Sequence, residues 1–179
     1  MMTLVIGGAS SGKSAVAEDI VMAIPGAKTY VATMMPFGEQ AKARVQRHLA
    51  LREGKGMATI EQYTDLAAIA DRAAAYDVLL IECMTNLVAN EQFAPNAAPD
   101  TDIAQKVYND IQTLQAVCPN LVIVTCDVFG DGIIYPQETM DYMRHLGRLN
   151  QMLAASAARV TDVFYGLATE RKGGSYEAD

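Results

Sequence analysis

Residues Leu4–Asp19, "LVIGGASSGKSAVAED", run from an apolar stub through glycine and serine to one lysine, then into a helix-forming stretch. Gly7, Gly12, Lys13 and Ser14 satisfy G-x-x-x-x-G-K-[ST], and the flanking runs supply the strand and amphipathic helix that the pattern requires. Glycine lets the backbone curl so that successive N–H groups converge on one anion. A helix opening near Lys13 adds the positive end of its dipole. The loop Gly7, Gly8, Ala9, Ser10, Ser11, Gly12, Lys13 and Ser14 therefore reads as a cradle for nucleotide phosphates. Lys13 would reach the β/γ-phosphates, and Ser14 would ligate Mg²⁺.

A cradle fixes NTP binding and not the reaction, because GTPases, motor ATPases and small-molecule kinases all use it. No N-K-x-D segment follows a strand, so the guanine-reading element of regulatory GTPases is missing. No transporter signature is visible, and a single small domain leaves little room for a motor. A transferase acting on a small substrate fits best. A kinase of some small alcohol or nucleoside and a non-catalytic nucleotide-binding regulator stay open.

Working outward, short apolar runs at Thr3–Gly7, Lys28–Thr33, Ala58–Gln62, Asp77–Glu82, Asn120–Cys126 and Val160–Gly166 read as strands. Helical patterns fall between them at Lys13–Ile24, Glu39–Glu53, Thr64–Ala75, Thr85–Glu91, Thr101–Val117 and Gln137–Ala158. Strand alternating with helix predicts an α/β, P-loop NTPase-like fold: a mostly parallel central sheet with helices on both faces. "FAPNAAPD" reads as a loop ending in a helix N-cap near Asp100. The chain is read as one nucleotide-binding domain over residues 1–179, with a mobile polar tail from about residue 168.

The chain has 179 residues, 51% hydrophobic and 20% charged, with a net charge of −7, so it can build a core and lacks the basic footprint of nucleic-acid or anionic-membrane binders. An anionic ligand must be held by a local positive site. The three cysteines form no CxxC pair, no secretory leader precedes them, and no apolar run approaches the ~18 residues of a membrane span. Together these predict a soluble cytoplasmic protein with reduced thiols.

Two acids follow apolar strands. Glu82 closes "VLLIE", where a carboxylate would face the phosphate loop and hold Mg²⁺ or orient a nucleophile. Asp127 stands equivalently after "LVIVTC" as the second candidate. Cys83 and Cys126 flank these acids with no basic neighbour close in sequence, and read as small packing residues.

In "EQAKARVQRHLALREG", Ala41, Val45 and Leu49 form an apolar stripe, while Arg44, His48 and Arg52 form another at i, i+4 and i+8. Neighbouring positive charge disfavours the imidazolium, which keeps a nitrogen lone pair free. The arginines can grip phosphate oxygens in bidentate fashion. A neutral nucleophile beside phosphate-clamping cations suits attack on phosphorus. The same spacing also describes a solvated basic helix face with an incidental histidine. His145, in the last helix beside Arg144, reads as a surface residue.

The stretches "GGASSGKSAVAE", "YVATM", "RVQRHLALR", "LLIECMTNLVAN", "LVIVTCDVFGDGI" and "GRLNQMLAASA" span Thr3 to about Ala158. In this order the sequence resembles the bifunctional adenosylcobinamide kinase / adenosylcobinamide-phosphate guanylyltransferase family of cobalamin synthesis and salvage. R-[IV]-x-x-H-x-x-x-R and G-x-x-N-Q, beside the phosphate loop, carry the specificity. The resemblance implies phosphorylation of adenosylcobinamide from ATP or GTP, followed by transfer of GMP from GTP through a guanylylated histidine, here His48. It implies nucleotide contacts at Gly7 to Ser14, at Thr33, Met34 and Met35, at Leu49, Ala50, Leu51 and Arg52, and at Glu61 and Glu82. It also implies a corrinoid substrate and a homotrimer. The chain departs from the family at Cys126-Asp127-Val128-Phe129-Gly130, where Asn-Glu-Val-Gly is usual, and the following loop to Pro136 is longer. Glu53 and Met57 stand where proline and tryptophan are common, and Tyr142-Met143-Arg144 replaces Phe-Arg-Asp.

Overall fold

The computed structural model describes residues 1–36, 54–94, 101–130 and 132–173. Seven strands are found there: β1 (Met2–Gly7), β2 (Lys28–Ala32), β3 (Ala58–Glu61), β4 (Val78–Glu82), β5 (Asn120–Cys126), β6 (Arg159–Phe164) and β7 (Leu167–Lys172). They form one sheet in the order β3-β2-β4-β5-β1-β6-β7, parallel except for the antiparallel edge pair β6–β7. The helices are α1 (Lys13–Ala23), α2 (Ala70–Ala73, continuing a 3-10 turn at Leu66–Ile69), α3 (Met84–Gln92), α4 (Ile103–Val117) and α5 (Gln137–Ser156). The fold is the expected α/β type. The helix expected over Glu39–Glu53 lies outside the described residues.

The near-continuous apolar runs of the central strands serve two cores at once, because successive side chains point to opposite faces. Leu79, Ile81, Leu121 and Ile123 face a large cluster closed by α3, α4 and α5. Val78, Leu80, Val122 and Val124 face a smaller one closed by Ala17 and Val21 of α1. Burying one such side chain stabilises the fold by about 1.5–3 kcal/mol. Rigid strands therefore end where the loops bearing polar chemistry begin.

Three expectations are corrected. The polar tail does not start at residue 168: Leu167–Lys172 is strand β7. All its residues are exposed, so it has no apolar alternation to read. Cross-strand pairs hold it, Arg159 Nε to Glu170 Oε1 at 2.8 Å and Arg171 Nη2 to Asp162 Oδ2 at 3.0 Å. Lys172 Nζ also donates to the Ala154 and Ala155 carbonyls near the end of α5, at 3.0 and 2.7 Å. The N-cap of α4 is Asp102 rather than Asp100, its Oδ1 accepting from the Gln105 N–H at 3.1 Å. The helix expected over Thr64–Ala75 shrinks to the 3-10 turn and the short α2.

The "GRLNQ" motif has a physical reason. Gly147 sits where an added Cβ would lie 3.4 Å from Phe129 Cζ, so the loop after β5 packs on the helix. Asn150, buried, accepts from Thr125 Oγ1 at 2.7 Å and donates to the Cys126 carbonyl at 3.3 Å. It pins the carboxyl end of β5 to α5. Asn150→Ala should cost about 1–3 kcal/mol, because Thr125 is left without its buried acceptor. Chemical denaturation is the check, and an unchanged midpoint would remove Asn150 from this role.

Candidate active site

Six of the seven strands run parallel, and their carboxyl ends gather the loops on one edge, where open α/β sheets bind ligands. The phosphate loop leaves β1 between β5 and β6. Gly7 must be glycine, since a Cβ there would meet the Val163 carbonyl oxygen at 2.5 Å and Ser11 Oγ at 2.6 Å. Ser10 (φ 58°) and Gly12 (φ 93°) are left-handed, and at Gly12 a Cβ would also come within 3.2 Å of Gly166 Cα. Gly166 N–H donates to the Ser11 carbonyl at 2.8 Å, so the β6–β7 turn braces the loop from its outer side.

Lys13 is only 9% exposed, and its Nζ donates to the Gly8 carbonyl at 3.0 Å. Nothing lies within 4 Å of the Cβ position at Gly8. Ser11 Oγ is buried with no hydrogen-bond partner among the described residues. A buried ammonium folded on its own loop, next to an unsatisfied hydroxyl and open space, is a site shaped for a polyanion.

Ser14 and Glu82, 68 residues apart, meet here: Ser14 Oγ donates to Glu82 Oε1 at 2.5 Å. Tyr30, from β2, donates from Oη to Glu82 Oε2 at 3.3 Å. Glu82 is 8% exposed, so both its oxygens are held in a mostly buried setting. A hydroxyl and a carboxylate side by side at a phosphate loop are hard oxygen donors, which fits Mg²⁺. No cluster of three or more His, Cys, Asp or Glu able to cage a metal occurs among the described residues.

The remaining sequence-derived residues divide. Thr33 is buried, its Oγ1 donating to the Cys83 carbonyl at 2.9 Å and its N–H to the Glu82 carbonyl at 3.1 Å. Met34 is half-buried and Met35 is exposed beyond it. Glu61 ends β3 in the same row as Ala32 and Glu82, exposed, and accepts from Tyr63 Oη at 2.8 Å. Burial and then the Glu61 carboxylate push that phenol up to about 12. Asp127 is exposed beside the loop, its N–H donating to the Gly7 carbonyl at 3.4 Å. Its Oδ1 accepts from the Phe129 N–H at 3.3 Å. His145, read as a surface residue, is half-buried on α5. Arg44, His48, Leu49, Ala50, Leu51 and Arg52 lie outside the described residues.

Two residues gain roles that the linear pattern hides. Asn90 donates from Nδ2 to the Thr33 and Tyr63 carbonyls, both at 2.8 Å, stitching together the segments after β2 and β3. Cys83 and Cys126 do more than pack. Cys83 Sγ lies 3.0 Å from Thr85 Oγ1 and accepts from Asn86 Nδ2 at 3.4 Å, and Cys126 ends β5 paired with Gly7, where the phosphate loop begins. The bond from Cys83, and beyond it Thr85 and the Lys13 charge, holds the Cys126 thiol well below its usual range, while Cys83 is pushed up. The basic neighbour is 113 positions away in sequence and adjacent in space.

Residues 3–170 match the family described as cobinamide kinase / cobinamide phosphate guanyltransferase. The bifunctional adenosylcobalamin biosynthesis protein CobU of Salmonella typhimurium is 33% identical, the alignment covering 96% of this chain and all of that protein. The protein of the same name from Escherichia coli is 31% identical with the same coverage. The bifunctional adenosylcobalamin biosynthesis protein CobP of Pseudomonas aeruginosa is 27% identical over 97% of this chain and 98% of its own length.

Proposed function

Since this chain belongs to the cobinamide kinase / cobinamide phosphate guanyltransferase family, we propose that it phosphorylates adenosylcobinamide and then transfers GMP to the product. It is a transferase of cobalamin biosynthesis. The observation that carries the reading is the meeting of Lys13, Ser14 and Glu82 at one sheet edge, with Ser14 Oγ 2.5 Å from Glu82 Oε1.

In the first step the aminopropanol hydroxyl oxygen attacks the γ-phosphorus of ATP or GTP, and the bond to the β,γ-bridging oxygen breaks. The loop N–H groups and Lys13 hold the phosphates and offset charge as it moves toward the leaving oxygen. Asp127, beside the loop, is the candidate to accept the hydroxyl proton. Mg²⁺, held through Ser14 and Glu82, would neutralise phosphate charge and align the triphosphate. In the second step the His48 lone pair attacks the α-phosphorus of GTP, pyrophosphate leaves, and the guanylyl group passes to the phosphate of adenosylcobinamide phosphate. Arg44 and Arg52 would clamp phosphate oxygens, and Thr33 to Met35, Leu49 to Arg52 and Glu61 would line the nucleotide.

Glu82→Gln keeps the size of the side chain and removes its charge. Phosphoryl transfer should fall by about 10²-fold, with the Mg²⁺ requirement moving to higher concentration. An unchanged Mg²⁺ titration would take Glu82 out of the metal site.

No described helix is long and apolar enough to cross a membrane. We place the protein in the cytoplasm as a homotrimer, on the family resemblance. Phe164, Tyr165 and Leu167 stand exposed at the β6–β7 turn, apolar surface of the kind assembly covers. Sedimentation equilibrium tests the trimer, and a monomer at working concentration would refute it.

The function is tested by supplying the protein with adenosylcobinamide, Mg²⁺ and ATP or GTP and separating the corrinoids. The reading expects adenosylcobinamide phosphate first and a guanylylated corrinoid only with GTP. Transfer to another alcohol would replace it with a plain kinase, and tight binding without turnover would leave a regulator.

A further inference from the structure

We propose that Asn90 is a positioning residue for the nucleotide: by tying together the segments that follow β2 and β3, it places what lines the ribose and base, independently of the cradle that holds the phosphates. The inference rests on the reading of Thr33 to Met35 and Glu61 as nucleotide-lining residues.

Helix α3 sets the amide in place. Met84, Leu87, Val88 and Glu91 recur at helical spacing and are buried, so they turn one face of the helix to the core. Asn90 borders that stripe, half-buried. The β2–β3 ladder ends with Ala32 beside Glu61, and one further bond closes it, from the Gln62 N–H to the Ala32 carbonyl at 3.0 Å. The next carbonyls along the two chains, of Thr33 and Tyr63, both accept from Asn90 Nδ2 at 2.8 Å. A side-chain amide has two N–H donors, and both are used here.

Each carbonyl leads to a different lining segment. Thr33 is buried, with its N–H on the Glu82 carbonyl, its Oγ1 donating to the Cys83 carbonyl and its own carbonyl on Asn90. Its hydroxyl hydrogen is thus committed inside the protein, and the residue acts by fixing where Met34 and Met35 emerge. Tyr63 has its backbone held by Asn90 and donates from Oη to Glu61 Oε2 at 2.8 Å, which carries the same restraint to a carboxylate.

A structural anchor for the turn after β3 already stands next door. Glu91 accepts from the Asp65 N–H at 2.6 Å and from Lys106 Nζ at 2.7 Å, and Lys106 also donates to Asp65 and Asp110. None of these bonds touches β2 or the residues after it. Asn90 adds the tie across to Thr33. The phosphates lie apart from that tie, because β4 and β5 stand between β2 and β1. Three strand spacings separate β2 from the strand that carries the cradle, about 14 Å. Without Asn90, Thr33 keeps its bonds to the Glu82 and Cys83 carbonyls, so the loosening falls on the ribose and base end of a nucleotide.

The test compares GTP with inorganic tripolyphosphate, which offers the cradle its phosphates without ribose or base, on the full chain with Mg²⁺. In Asn90→Ala the Kd for GTP should rise by about tenfold or more, while that for tripolyphosphate stays within about twofold. With adenosylcobinamide phosphate supplied, the KM for GTP should rise likewise at a near wild-type kcat, the pattern of binding lost equally from ground and transition states. Destabilisation alone does the opposite: it shrinks the folded fraction, lowers the apparent kcat and leaves KM unchanged. Asn90→Asp keeps the volume and loses both donors, so its GTP affinity should fall as far. Equal losses for GTP and tripolyphosphate, a fall in kcat alone, or wild-type GTP affinity in Asn90→Asp would each overturn the proposal. A chain that transfers nothing to a corrinoid, yet shows the split between GTP and tripolyphosphate, would refute the functional reading and support the role of Asn90.

Discussion

Lys13→Ala should lower phosphoryl transfer by at least ~10²-fold while GTP's base stays bound, because positioning and charge stabilisation carry most of this chemistry. Lys13 is a buried ammonium at the mouth of α1, fixed on the Gly8 carbonyl until a phosphate competes for it. Its removal leaves the loop N–H groups, which still bind phosphates, but no mobile charge to follow the leaving oxygen. A 10²-fold loss corresponds to about 2.7 kcal/mol, the size expected when one preorganised charge is withdrawn from a transition state. Steady-state kinase assays beside nucleotide titration separate rate from binding, and a melting curve checks the fold. Near-normal turnover would defeat the assignment of the cradle.

His48→Ala should abolish guanylyl transfer, by ~10³-fold or more, and leave the kinase step within a few-fold of wild type. The two reactions attack different phosphorus atoms, and only the second needs a nucleophile from the protein. Supplying adenosylcobinamide phosphate directly isolates that step. A variant that still guanylylates the corrinoid would exclude the covalent route through His48. Loss of both steps in a folded protein would instead make the histidine a phosphate-steadying group.

The fold was legible where side-chain pattern and burial coincide. "VLLIE" and "LVIVT" are apolar because they feed two cores, and they are strands β4 and β5. Strand β7 was hidden for the opposite reason: an exposed edge held by ion pairs looks like a polar tail. A signal did exist in Tyr165-Gly166, two left-handed residues of the kind a tight hairpin demands. Asp100 and Asp102 are both plausible caps in sequence, and only the helix start distinguishes them.

The site was legible in its local part, the loop from Gly7 to Ser14, since its chemistry is contiguous. Glu82 was readable because a carboxylate closing an apolar strand has few structural excuses. What surrounds it was not: Tyr30 and Asn90 come together with it only through sheet order. Reading Cys126 as inert followed from the absence of a nearby cation in sequence. The Lys13 charge acts on that thiol because the loop carrying Lys13 leaves Gly7 of β1, which is paired with Cys126 of β5.

The most direct test of the central claim, that a triphosphate in this cradle guanylylates His48, follows label onto the protein. The chain is incubated with GTP labelled at either the α- or the γ-phosphorus, denatured, and washed. The account expects α-label bound in an acid-labile, base-stable linkage that disappears in His48→Ala, with no γ-label retained. Protein free of α-label while the corrinoid is still guanylylated, or α-label that survives in His48→Ala, would contradict it.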